Sequence, residues 1–146
     1  SQLYKLLRGE GGLVYDFWLS PIMLPFAGVW RFITSCQPDK VNKVINLVLT
    51  EIDRLKRKTV KKEELKKAIT FVNCLNQRGL DNPYEGLDWI MNEFLIEQKL
   101  LLPCDYITIR NKITPQDIQT MAKKIFNYDY LNVIIYGNIP KETLKL

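Results

Sequence analysis

No histidine occurs anywhere in the 146 residues. That absence excludes a zinc peptidase motif of the His-Glu-x-x-His kind. It also excludes Ser-His and Cys-His nucleophile pairs, because each needs an imidazole as ligand or base. Cysteine is scarce: Cys36, Cys74 and Cys104 are three in number and far apart. They lack the close pairing of structural zinc sites, so they are expected to be free, mostly buried thiols of a reducing compartment. No apolar run approaches the roughly 20 residues that cross a bilayer, so no membrane span is expected. The opening "SQLYKLLRGE" is polar and amphipathic, unlike a signal peptide. Glycine is also sparse, with seven in all, yet three of them stand at positions 9, 11 and 12. They precede an alternating pattern rather than a helix, which rules out a phosphate-cradling loop.

What is present is ordinary for a globular protein: 47% hydrophobic and 25% charged residues. The length fits a single domain over residues 1–146 with a real core. The net charge of +5 comes from 21 basic and 16 acidic residues, a mild excess compatible with an anionic partner. The dense basic stretch is "RLKRKTVKKEELKK", residues 54–67. Glu63 and Glu64 dilute it and no aromatic residue is interleaved for stacking. It reads as a solvated connection between two helices, with cations at the end of the first, and no nucleic-acid partner is expected.

The order of elements is mixed. Leu3, Leu6 and Leu7 share a helical face. Leu13, Tyr15, Phe17 and Leu19 alternate with Val14, Asp16 and Trp18, which predicts a strand. "SPIMLPFAG", residues 20–28, reads as an apolar loop or wide hairpin connection, and its part "SPIMLPF", residues 20–26, equally as an exposed patch that meets a partner or another part of the same protein. "VWRFITSC" predicts a second strand. Val41, Val44, Ile45, Val48, Leu49, Ile52 and Leu55 then set the three-and-four spacing of a long helix over residues 40–56. A second helix over 60–78 is expected to bury Leu65, Ala68, Ile69, Val72 and Leu75. A third, over 83–99, starts with Asn82 as cap, Pro83 next and Glu85 as reciprocal partner, and presents Ile90, Met91, Phe94 and Leu95. A fourth, over 115–126, is capped by Thr114 with Asp117 in its first turn. "YLNVIIYG" predicts a final buried strand. Three strands and at least four helices in this order define an α+β class, a two-layer arrangement of mixed or antiparallel sheet against helices. Three strands make a thin sheet for so many helices, so further strands are expected outside this stretch. Trp30, Phe32, Trp89, Phe94 and Phe126 fit core positions better than pocket walls.

The residues that invite a functional question flank the glycines. Arg8 lies at a helix end, where a cation complements the dipole. Gly9, Gly11 and Gly12 permit a sharp bend, and Tyr15 lies early in the strand. Position alone gives both side chains an ordinary structural role.

The wider pattern adds to this. "SQLYKLLRGEGGLVYDF" resembles the C-terminal-type, inactive domain of the pitrilysin, insulinase and mitochondrial-processing-peptidase family of zinc metallopeptidases. That family carries a segment like Ser-x-Leu-x-x-x-Leu-Arg-Glu-x-x-Gly-Leu-x-Tyr. Ser1, Leu3, Leu7, Arg8, Gly12, Leu13 and Tyr15 match it in register. "PDKVNKVINLVLTEIDRLK", "TVKKEELKKA", "ITPQDIQTMAKKIF" and "YLNVIIYGN" resemble its later segments in the same order. Gly9 departs from the pattern, standing where the family has a glutamate, which is expected to loosen the loop. The pattern also begins part-way through the family domain, so the chain reads as a portion of a longer protein.

The resemblance implies a substrate-binding, non-catalytic part of a zinc-dependent metalloendopeptidase. Two similar halves would face each other across a chamber. Zinc would be held by the other half, whether fused upstream or a separate chain, and none by this one. Arg8 and Tyr15 would hold the peptide substrate, with Gly11 and Gly12 giving the backbone room between them. The same family contains structural and assembly subunits without proteolytic role, which is the alternative reading. A basic binding module unrelated to proteolysis is a third.

Overall fold

The computed structural model describes residues 2–9, 11–79 and 81–138. The chain divides into two compact units. The first draws on residues 1–20, 31–59 and 118–146, the second on residues 21–30 and 60–117.

In the first unit a short helix α1 (Gln2–Tyr4) passes into a π-helical turn, Lys5–Gly9. A 3₁₀ turn, Pro38–Lys40, leads into the long helix α2 (Val41–Arg57). The three-and-four spacing of α2 places Val41, Val44, Val48 and Ile52 on one buried face. Both α1 and its π turn pack against α2. Leu3 and Leu7 are buried with Leu13, Val14 and Ala122, and Leu7 is fully enclosed at 0% exposure. Burying one such leucine stabilises by about 1.5–3 kcal/mol. Ile45, Leu49 and Leu55, also expected on the apolar face, are half-buried at its margins. Glu51 is buried on the same helix and is compensated. Arg54 donates to both its carboxylate oxygens, Nε to Oε2 and Nη2 to Oε1, each at 2.8 Å. A paired, hydrogen-bonded carboxylate avoids the large penalty of an isolated buried charge.

Two strands, β1 (Val14–Leu24) and β2 (Ala27–Cys36), form an antiparallel hairpin joined by the two residues Pro25 and Phe26. The connection is therefore tight, not wide: residues 20–24, 27 and 28 of the expected loop are strand. Pro21 is accommodated because a two-stranded sheet consists of edges, where a missing N–H donor is tolerated. Near the open end the Phe17 and Phe32 rings stack at 5.7 Å and the Thr34 hydroxyl donates to the Asp16 carbonyl at 2.7 Å. Ile22, Met23, Leu24 and Phe26 are exposed, the last at 86%.

The second unit contains α3 (Lys62–Gly79), α4 (Pro83–Asn92) with a π-helical turn Glu93–Glu97, and α5 (Pro103–Arg110). Helix α6 (Pro115–Ile125) begins at its end. The expected caps are present. The Asn82 side chain accepts from the Tyr84 N–H at 3.0 Å, and its amide donates to Glu85 at 3.5 Å. Thr114 and Asp117 form a reciprocal box. Thr114 N–H and Oγ1 donate to Asp117 Oδ2 at 2.9 and 2.8 Å, and the Asp117 N–H donates to Thr114 Oγ1 at 3.2 Å. These bonds hold the Asp117 carboxyl below the usual aspartate range.

Four expectations need correction. Helix α3 buries none of its described residues: Leu65 and Ile69 are half-buried, while Ala68, Val72 and Leu75 are exposed. It packs on α5, which at eight residues is too short to cover an 18-residue apolar face. The third helix stops being α-helical at Asn92, and Gln98 adopts a left-handed φ of 52°, so it does not reach 99 as one rod. Its apolar residues Ile90, Met91, Phe94 and Leu95 are exposed. "YLNVIIYG" is no buried strand. Residues 131–136 are irregular, with Ile134 at 92% and Tyr136 at 102% exposure. A strand exists by pairing, and no neighbouring strand stands beside it among the described residues. The sheet is thus a two-stranded antiparallel hairpin rather than a mixed one, within an α+β class.

What organises the second unit is polar and aromatic. Trp89 donates to the Leu101 carbonyl at 3.2 Å and meets Tyr106 edge-on at 5.3 Å. The Tyr106 hydroxyl donates to the buried Glu93 at 2.7 Å. Arg110 lies over the Tyr106 ring at 5.1 Å and donates to Asn73 at 3.2 Å.

Candidate functional site

The glycine-containing bend is built by specific exclusions. The Leu13 N–H donates to the Leu7 carbonyl at 2.8 Å, closing the turn from helix to strand. A Cβ on Gly11 would collide with the Leu6 carbonyl oxygen and lie 3.2 Å from its carbon. Gly12 adopts a φ of +50°, the left-handed region that disfavours a side chain. Gly9 is under no such demand, since a Cβ there would meet only the Tyr4 carbonyl at 3.9 Å. Two of the three glycines are therefore required by geometry.

That bend determines where the flanking side chains go. Leu7, fully enclosed, anchors the turn, and the next residue, Arg8, emerges exposed. Val14 points into the core at 6% exposure, so the pleat turns Tyr15 outward at 84%. The Arg8 guanidinium carbon lies 5.5 Å from the Tyr15 ring centroid and 5.5 Å from that of Tyr4. Arg8 is thus held by two aromatic rings through cation–π attraction. No carboxylate among the described residues forms an ion pair with it. Sequence reasoning missed Tyr4, although its spacing of four from Arg8 is the spacing of helical neighbours.

An open groove of about 650 Å³ adjoins the pair. It is lined by residues 12–15 at the start of β1, residues 35–38 at the end of β2, and Lys40. Gly12 and Tyr15 therefore share this groove, with Arg8 against the Tyr15 ring; Gly11 lies one residue outside the lining. The Lys40 ammonium donates to the Gly12 carbonyl across it at 3.4 Å. Cys36 lines the same groove, half-buried. Burial pushes its thiol up, Asp39 adds to the rise, and Lys40 opposes it, so the thiol stays protonated at neutral pH.

The remaining sequence candidates fall elsewhere. Cys74 and Cys104 are free as expected but exposed, not buried. In the basic stretch Arg54 pairs with Glu51, Arg57 with Asp53 at 3.6 Å, and Lys56 lies over the Tyr128 ring at 4.5 Å. Of the aromatic set, Trp30, Phe32, Trp89 and Phe126 are half-buried, and Phe94 is 69% exposed rather than core. Among the described residues no group of three histidine, cysteine, aspartate or glutamate side chains could hold a metal ion. No described helix is long and apolar enough to cross a membrane.

A short helix, a glycine bend and a hairpin strand thus present Arg8 and Tyr15 side by side. Residues 1–72 match the family model described as the Peptidase M16 inactive domain. The chain is 24% identical over 125 residues to the alpha-2 subunit of the mitochondrial-processing peptidase of Dictyostelium discoideum, covering 86% of this chain and 27% of that protein. In fold it is similar to a chain of complex III2 from Candida albicans, solved with Inz-5 bound. The TM-score there is 0.74 at 16% identity, over 84% of this chain and 29% of that one. It is also similar to the periplasmic protease PqqL from Escherichia coli, with a TM-score of 0.61 at 16% identity, over 84% of this chain and 14% of that one. Residues 1–72 are thus similar to the inactive domain of the M16 peptidase family, and the fold is similar to that of two larger proteins. The chain spans about a quarter of the length of the curated relative it matches.

Proposed function

We propose that this chain is the substrate-binding, non-catalytic part of a zinc-dependent metalloendopeptidase, with hydrolysis taking place at zinc held by another half, fused or separate. Arg8 and Tyr15 hold the peptide. The observation that carries this reading is the exposed Arg8–Tyr15 pair, 5.5 Å from guanidinium carbon to ring centroid, beside an open groove. The guanidinium carries five N–H donors and the phenol one O–H. A cation–π contact engages the charge of Arg8 and leaves N–H groups for a ligand. Peptide carbonyl oxygens are acceptors that gain charge as hydrolysis proceeds, so donors pre-positioned beside them lower the barrier. Gly11 and Gly12 allow the backbone to bend without side chains between the two donors.

The test uses the full-length protein together with its zinc half. Arg8→Ala and Tyr15→Phe should each lower kcat/KM for peptide cleavage by roughly a hundredfold, equivalent to about 3 kcal/mol of lost transition-state stabilisation. Tyr15→Phe keeps the ring that contacts Arg8, so it reads the hydroxyl alone. Wild-type turnover in both folded variants would overturn the proposal. The alternative, a structural or assembly subunit without proteolytic role, is favoured by the fold likeness to a chain of complex III2. It predicts no chelator-sensitive cleavage by the full-length protein.

A further inference from the structure

Lys40 lines the groove beside Tyr15, although its position on α2 is locally unfavourable. It is the N-cap residue of α2, at the positive end of the dipole where a cation is disfavoured, and its side chain makes no capping bond there. A residue that departs from a local rule without structural compensation marks a candidate functional position.

We infer that Lys40 is a specificity-determining residue that receives a carboxylate of the bound peptide in the groove formed by residues 12–15 and 35–38. This inference rests on the peptide-binding role proposed for Arg8 and Tyr15, and it adds the chemistry of the peptide.

Three observations carry it. First, Lys40 is the one charged side chain lining the groove among the described residues; Asp39, its neighbour on the same turn, does not line it. Second, Lys40 is half-buried, so part of its water shell is already removed, and no carboxylate among the described residues pairs with it. Its contact with the Gly12 carbonyl, at 3.4 Å, is longer than a strong N–H···O bond. An ammonium has three donors, so this contact leaves capacity for a stronger acceptor. Third, the rest of the lining is uncharged: Gly12, Leu13, Val14 and Tyr15 on one side, Ser35 to Pro38 on the other. Such walls present no competing anion. A neutral peptide side chain gains little from the ammonium, and a cationic one is repelled by it. The carboxylate has two possible sources, an aspartate or glutamate side chain or the peptide's own C-terminus.

The experiment measures binding of fluorescein-labelled peptides to the full-length protein, which requires no turnover. One set of peptide pairs differs by Glu against Gln at successive positions. A second set differs by C-terminal acid against C-terminal amide. In the wild type one pair should differ in Kd by roughly fivefold, the scale of one partly exposed charge-assisted contact. A preference in the first set assigns a side chain, and in the second the terminus. Lys40→Gln should bring that ratio to about 1, and the preference should fall as salt is raised. Arg8→Ala should weaken both members of the pair alike and keep the ratio. An unchanged ratio in Lys40→Gln, or no preference in any wild-type pair, overturns the role of Lys40 alone. Unaltered binding in Arg8→Ala overturns the clamp instead, and absence of binding by every peptide overturns both. Because Lys40 opposes the dipole of α2, Lys40→Gln should also melt no lower than the wild type. A large fall in Tm would assign Lys40 to the fold and refute the inference.

Discussion

The substitution Gly11→Ala tests how the bend creates the site. A Cβ at this position would overlap the Leu6 carbonyl oxygen, lie 3.2 Å from the Leu6 carbonyl carbon and 3.3 Å from Leu13 Cγ. The first two obstacles are backbone, so neither can swing aside. The chain must shift, and over-packing of this kind costs about 1–3 kcal/mol. The shift falls on the turn closed by the 2.8 Å bond from Leu13 N–H to the Leu7 carbonyl. Gly12→Ala is the contrasting case. A Cβ there meets nothing within 4 Å, and the cost is the left-handed φ of +50° alone. That is about 1–2 kcal/mol, partly offset by the lower entropy of the unfolded alanine chain, about 0.4–1 kcal/mol. Gly11→Ala should therefore be the more damaging of the two. Amide hydrogen exchange reads the effect locally, since the Leu13 amide should lose protection by about a factor of ten per 1.4 kcal/mol in Gly11→Ala. Its loss in Gly12→Ala should be smaller. Equal Leu13 protection in Gly11→Ala and wild type, or the reverse order of the two variants, would refute the reasoning about the bend.

Other perturbations test the scaffold. Leu7→Ala empties a fully enclosed position against α2 and should lower stability in urea by about 3–4 kcal/mol, releasing the turn that carries Arg8. The Tyr128 hydroxyl donates to Asp53 at 2.7 Å, and burial together with that bond pushes its pKa up to about 12. A raised folded pKa means the stabilisation is complete below pH 10 and is lost as pH rises from 10 towards 12. Tyr128→Phe should flatten this alkaline dependence and cost about 0.5–1 kcal/mol at neutral pH, a modest figure because the ring is 42% exposed. Asp117 is shifted the other way, its carboxyl lowered by the Thr114 bonds. Its stabilisation is present above the ordinary carboxylate pKa near 4 and is lost as pH falls below that through the depressed folded value. Thr114→Ala keeps the backbone N–H bond to Asp117 and loses the hydroxyl bonds, so it should weaken but not abolish this acid sensitivity and cost about 1 kcal/mol of α6 stability, read from thermal melts at pH 7 and pH 3.

The local features were legible in the residues themselves. The caps at Asn82 and Thr114, the face of α2 from Val41 to Ile52, and the two hairpin strands follow from short-range chemistry, namely hydrogen bonds two or three residues apart, a 3.6-residue helical period and a two-residue strand alternation. The absence of histidine likewise excluded a zinc motif of the His-Glu-x-x-His kind without any coordinates. What the residues could not decide was which apolar faces find a cover. Val72, Ile90 and Ile134 carry strong helix or strand periodicity, yet burial depends on a second element at the right distance, and the described residues leave all three exposed. A period states which side of an element is apolar; only packing states whether that side is filled. The site divides in the same way. Arg8, Gly11, Gly12 and Tyr15 were visible as a pattern and Tyr4 stands one helical turn from Arg8, but only tertiary structure brought Tyr15 against the same guanidinium. It also set Lys40 opposite Gly12, 28 residues away in the chain. The enclosed Leu7, the left-handed Gly12 and the start of α2 fix those positions, and no local rule along the sequence encodes that convergence.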